Sequence, residues 1–166
     1  DAANPPYNRT VQKTFPYYGE YMFINTTRGS HGASWLEATD NRSGAENGYM
    51  LYCDGTTMAG QVVSLDLKAE LCAGSRMFCS AWINSANTES GGASPVFQFQ
   101  LVGIDAEGNE HEQTTFSTGE ISPNKGWQQV FFSIESDDDY EKYRLRISNH
   151  CGAPNGNDFL IDDIRV

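Results

Sequence analysis

The chain has 166 residues, is 39% hydrophobic and 20% charged, and carries a formal net charge of −11. That length suits one domain with a core of its own. The acidity argues against nucleic acid or an anionic membrane surface as partner, and the apolar runs are too short to span a bilayer, so no membrane insertion is expected.

In chain order, residues 1–14 hold Pro5-Pro6 and few apolar groups and read as a leader or linker, leaving 15–166 as the folded module. From Glu20 onward, short apolar alternations are punctuated by Gly, Asn, Asp and Pro. They predict strands at 20–25, 49–54, 61–67, 76–84, 96–103, 111–117, 127–134, 142–149 and 158–166. A helical period is sustained nowhere, so helix is limited to a single turn at Ser136–Tyr140. Many short strands without strand–helix alternation predict an all-β, two-sheet antiparallel sandwich.

Alternation also sorts side chains by face. In 76–83, Met77, Cys79, Ala81 and Ile83 take the core side, turning Phe78, Ser80 and Trp82 outward. In 95–101, Phe97, Phe99 and Leu101 go in, leaving Gln98 and Gln100 out; in 143–147 the outward pair is Arg144 and Arg146. If these strands share a sheet, its outer face presents rings, amides and guanidiniums together. Such a mixture suits a sugar, because rings stack on the pyranose C–H face and the amides and guanidiniums bond its hydroxyls. An ordinary solvated face with one loop-covered tryptophan is the alternative. The last strand, Phe159–Val166, sets Asp162 and Asp163 among apolar neighbours. Whichever face is core, one carboxylate points the wrong way, which calls for a hard cation or several donors.

Four cysteines favour an oxidising compartment. Three pairings are possible, of which Cys53–Cys79 with Cys72–Cys151 is preferred; four reduced thiols are the alternative. His31, His111 and His150 lie far apart and in no nucleophile motif, so catalysis is not expected.

From Tyr18 to Val166 the chain resembles extracellular jelly-roll modules of the galactose-binding-like type, among them carbohydrate-binding modules and a module of Bacteroidetes surface proteins. The resemblance rests on Gly48-Tyr49-Met50, Leu71-Cys72-Ala73-Gly74 leading to Phe78–Trp82, Gly119-Glu120-Ile121, Gly126-Trp127, Leu145-Arg146-Ile147 and the ending Gly156–Ile164. Trp35 through Asp40 to Gly48-Tyr49, with the Asp-Asp-Ile ending, is also similar to meprin-type MAM adhesion domains, although Asn41 stands where those carry histidine. The resemblance implies a jelly roll, often with a structural calcium joining an early segment to the final strand. Matched residue by residue, Asp162 is the last-strand ligand and Asp40 or Glu20 the early one, with Glu46 and Asn47 as further oxygens. The expected function is non-catalytic glycan or polysaccharide binding through Phe78, Trp82, Gln98, Gln100, Arg144 and Arg146. The module is expected in a secreted or cell-surface protein beside other modules; a MAM-like protein-adhesion role is the alternative.

Overall fold

The computed structural model describes residues 6–10, 14–30, 35–41, 48–68, 71–88, 92–151, 153 and 155–166. Among these residues ten strands form: β1 (Asn8–Arg9), β2 (Glu20–Ile24), β3 (Met50–Cys53), β4 (Gly60–Leu67), β5 (Arg76–Ser85), β6 (Val96–Ile104), β7 (Glu110–Glu120), β8 (Gln128–Glu135), β9 (Lys142–Asn149) and β10 (Phe159–Arg165). Ser136–Tyr140 makes a bend rather than the expected helical turn. No helix among the described residues is long and apolar enough to cross a membrane.

Two sheets face each other, ordered β1-β2-β3-β10-β5-β8 and β4-β9-β6-β7. All pairings are antiparallel except β1 with β2. The inward residues are those the alternation assigned. Cys79, Ala81 and Ile83 of β5, with Phe159 and Ile161 of β10, meet Phe97, Phe99 and Leu101 of β6 and Leu145 and Ile147 of β9. Ring contacts cross the layer, Phe97 meeting Phe159 edge to face at 4.8 Å. The architecture is an all-β sandwich.

The six-stranded sheet is also covered at its centre on the outer side. Met50, Tyr52 and Leu160 point away from the main core, yet they are buried beneath Ile24, Trp35, Ala38 and Trp127. The Trp127 indole donates to the Thr39 carbonyl at 3.0 Å, which pins the covering loop to the sheet.

Two expectations need correction. Residues 7–10 belong to the sandwich rather than to a leader. Tyr7 is buried against Phe159, centroids 5.9 Å apart, and Asn8 donates from its backbone to Gly19 at 3.0 Å. The four cysteines, in turn, are free thiols. β10 runs between the strands that carry Cys53 and Cys79, and Phe159 faces Cys53 on one side and Ser85 on the other. Cys79 is therefore about 20 Å farther along β5, whereas a disulfide needs Cα atoms within roughly 7 Å. Cys72 follows Leu71, whose carbonyl accepts the Tyr143 hydroxyl at the start of β9, while Cys151 lies past the far end of that strand.

A polar knot fixes the entry to β10. Asn157, fully buried at φ +59°, donates to the carbonyls of Thr56 and Ala153 at 3.0 and 2.9 Å and accepts from the Asn149 amide at 3.1 Å. Gly55 is required beside it, because a Cβ there would stand 1.5 Å from Asn157 Oδ1. Next in sequence, Asp158 accepts from the Gly55 N–H at 2.8 Å. Burial, reinforced by the neighbouring Asp54, pushes the Asp158 carboxyl up to about 8.

Two measurements check this arrangement. A thiol reagent should modify exposed Cys72 in the native protein. It should reach Cys53 and Cys79 only after unfolding, since burial holds the Cys53 thiol well above its ordinary value and Cys79 at about 11. A count below four thiols in denaturant, without reductant, would contradict the free-cysteine state. The second measurement is pH dependence. The folded chain keeps the Asp158 proton from the ordinary 3.8 up to about 8, where the unfolded chain has released it. Stability should therefore fall as pH rises through that window, and Asp158→Asn should flatten the slope. Urea midpoints at pH 5 and 8.5 for both proteins decide it.

Candidate functional site

Outward positions of the four-stranded sheet form a polar groove. Gln98 and Gln100 of β6 alternate with the buried phenylalanines, and Arg144, Arg146 and Ser148 of β9 alternate with Tyr143, Leu145 and Ile147. Register sets these side chains in rows. Gln98 faces Ser148, which faces Gln61 on β4; Gln100 faces Arg146, which faces Ser64. The resulting cavity, about 520 Å3, is lined by Pro6, Gln61, Gln98, Gln100, Glu110, Glu112, Arg146, Ser148 and His150.

An ion-pair chain braces one side of it. Asp66 Oδ1 holds Arg144 Nε at 2.6 Å, and Arg144 Nη1 reaches Glu110 Oε1 at 2.6 Å. The second Glu110 oxygen takes Arg146 Nη2 at 2.7 Å. Arg146 also donates to the Gln100 amide oxygen at 3.4 Å, and its Nε is buried with no partner among the described residues. Such exposed pairs add little stability singly, but a carboxylate bridging two guanidiniums fixes both planes. Hydrogen bonding from Arg146 holds the Glu110 carboxyl below its ordinary value, and Arg144 does the same to Asp66. At the groove's end, burial lowers the His150 imidazole and so favours its neutral form. His111 instead pairs with Asp105 on the surface at 2.8 Å, and His31 lies outside the described residues.

The structure splits the expected sugar face. Gln98, Gln100, Arg144 and Arg146 share one sheet, but β5, with Phe78 and Trp82, belongs to the other. Those two rings point out of the opposite side of the sandwich, because Cys79 and Ala81 between them, and Ile83 after them, point in. Phe78 is 62% exposed and stacks on Phe131 at 6.1 Å. Half-buried Trp82 lies between Gln129 and Asp162 in register. Ser148 was within reach of the sequence reading, being the next outward position after Arg146. Gln61 was not, because the β4–β9 register shifts between Gln61 and Val63.

The expected metal ligands divide in the same way. Asp162 meets the residue that follows Asp40 in the chain. The Asn41 N–H donates to Asp162 Oδ2 at 2.8 Å, and buried Asp40 packs so closely on Gly48 that a Cβ would stand 2.0 Å from its Oδ2. A cavity of about 440 Å3 is lined by Asp40, Asn41 and Asn84, while Asp162 lines a different one, and the buried Asn84 Oδ1 has no partner among the described residues. Two carboxylates and an amide oxygen are donors that suit a hard cation. Glu20 does not join them. It adjoins Asp54 at the other end of β2, and its Oε2 accepts from the Thr10 hydroxyl and from the Tyr17 N–H at 3.0 Å. Asn47 and Glu46 lie outside the described residues. No group of three His, Cys, Asp or Glu side chains poised for a metal occurs among the described residues.

No protein-family model matches the sequence, and no curated protein matches it. Solved structures do. The xylan-binding CBM22-1 domain of Paenibacillus barcinonensis Xyn10C is 15% identical at a TM-score of 0.50, the match covering 87% of this chain and 82% of that domain. The chain shares the jelly-roll fold of carbohydrate-binding modules. A sugar-binding EclA C-terminal domain is 18% identical at a TM-score of 0.43, with 64% of this chain and 66% of that domain covered. The CBM22-1–GH10 portion of the Clostridium thermocellum xylanase Xyn10B, complexed with xylohexaose, is 14% identical at 0.47, covering 87% of this chain and 24% of the xylanase.

Proposed function

We propose that this chain binds a glycan or polysaccharide, without cleaving it, in the groove on the outer face of the four-stranded sheet. The supporting observation is the groove itself. Amides of Gln61, Gln98 and Gln100, the Ser148 hydroxyl and a guanidinium held in place by Glu110 converge on one concavity. Hydroxyl-rich ligands need such a set, donors and acceptors together at fixed positions. One neighbour in fold, a xylan-binding domain, supports the same ligand class. A non-catalytic role is supported by Glu110. Its two carboxylate oxygens are each taken up by a guanidinium, of Arg144 and of Arg146, a bracing role. A secreted or cell-surface setting, beside other modules, is part of the same proposal and rests on the ligand class, not on the cysteines, which are free thiols. The exposed Phe78–Phe131 pair supports a second reading, a protein-adhesion contact on the opposite face.

Calcium is proposed as a structural ion held by Asp40 and Asp162 with the Asn84 amide oxygen. Bound there, it would tie the covering loop to β10 and stabilise the fold by mass action.

Affinity electrophoresis against xylan, β-glucan, mannan and chitin derivatives tests the binding. Retardation by at least one is expected, and the Gln98→Ala/Gln100→Ala double variant should lose it by an order of magnitude or more, about 1.4 kcal/mol per tenfold. Trp82→Ala should leave it intact; the opposite ranking would move the site to the other sheet. For the ion, millimolar calcium should raise the melting temperature by several degrees over chelated protein. Asp162→Asn should abolish that response, and an unchanged melt would remove calcium from the account.

A further inference from the structure

The groove supplies hydrogen bonds, and among the described residues that line it none is Phe, Tyr or Trp. Rings of that kind stand one strand away. A second cavity, about 500 Å3, opens on the flank of the sandwich between β4 and the strands β2, β3 and β10. Tyr21, Phe23 and Tyr49 line it together with Val63 and Leu65. Phe23 and Tyr49 are 55% and 68% exposed, and Leu65, although on the inward face of β4, is 38% exposed. Among the described residues no strand closes this flank, since β1 pairs only with Glu20 and Tyr21 of β2 and β4 is a sheet edge.

Groove and flank cavity share a border. Ser64 lines the cavity, and its register partner Arg146 lines the groove. Paired residues stand about 5 Å apart, so the two sites are separated by the width of a single strand. Asp163 borders the cavity with a carboxylate 14% exposed. It sits at φ +47° where the β10–β5 register slips between Asp162 and Arg165. Strained backbone of this kind concentrates at sites of function.

We infer that the flank cavity is the stacking subsite of one continuous glycan site, and that the ligand is an oligosaccharide long enough to cross β4. The inference rests on the carbohydrate-binding reading. The groove holds hydroxyls with amides and the Arg146 guanidinium. On the flank, Phe23 and Tyr49 take the C–H face of a later sugar residue, and Asp163 accepts from one of its hydroxyls. A single sugar fills one subsite only, so affinity depends on chain length.

Calorimetric titration with xylo-, cello-, manno- and chito-oligosaccharides of two and six residues tests it. The hexamer of one series should bind about tenfold more tightly than its dimer. The Phe23→Ala/Tyr49→Ala double variant should bring that ratio close to one. Both rings are exposed, so the melting temperature should hold; if it drops, Tyr49→Ala alone must still reduce the ratio. A hexamer affinity that survives the flank variants but is lost in Gln98→Ala/Gln100→Ala overturns the inference and leaves the binding function standing. A dimer as tight as the hexamer in wild type overturns it as well. Silence with all four series overturns both.

Discussion

The structure depends on how β10 enters the middle of the six-stranded sheet. It pairs with β3 on one edge and β5 on the other, so each of those strands lacks a neighbour without it. Its approach is fixed by Asn157, whose buried amide satisfies carbonyls of two different loops while its own backbone turns left-handed. Asn tolerates that conformation where most side chains do not. The absence of a side chain at Gly55 gives the amide its room. An Asn–Gly contact thus sets the register of the strand on which both sheet halves close.

From that central strand follows the division of labour between the two outer faces. Leu160 and Tyr52 make the middle of the larger sheet apolar on both sides, and the loop carrying Trp35 and Ala38 has to cover it. The smaller sheet carries Gln, Arg and Ser at the corresponding outward positions and needs no cover. A groove floored by rigid strands remains, and its polar groups are held by backbone register rather than by loops. Arg146 is fixed further by Glu110, so a ligand meets an array already in place, which limits the ordering cost of binding.

Much of this was legible in the sequence, because burial here follows alternation closely. The strand predicted at 142–149 coincides with β9, and the inward and outward sets of β5 and β6 were assigned as the structure has them. Sheet membership was not legible. Nothing local to Phe78–Trp82 says that β5 lies beside β10 rather than β6, so rings and amides were merged into one face. The preferred Cys53–Cys79 disulfide failed for the same reason, since β10 separates the two strands and their register sets the thiols far apart. Tyr7 was passed over because a two-residue strand carries no periodicity. The role of Asn157 as a buried hub depends on Gly55, distant in sequence, and on Asn149 of another strand.

The central place of β10 bears on the order of events during synthesis. Until residues 159–165 are made, β3 and β5 each carry an open edge, and the inward faces of the strands already made lack Phe159 and Ile161. A nascent chain ending at Asn149 therefore exposes two adhesive strand edges and an incomplete core at once. Most contacts that close the sheet span more than seventy residues, as Phe159 with Ser85 and Cys53 does. Folding is accordingly late and nonlocal, and the interval before β10 arrives is when the chain is most exposed to aggregation and proteolysis.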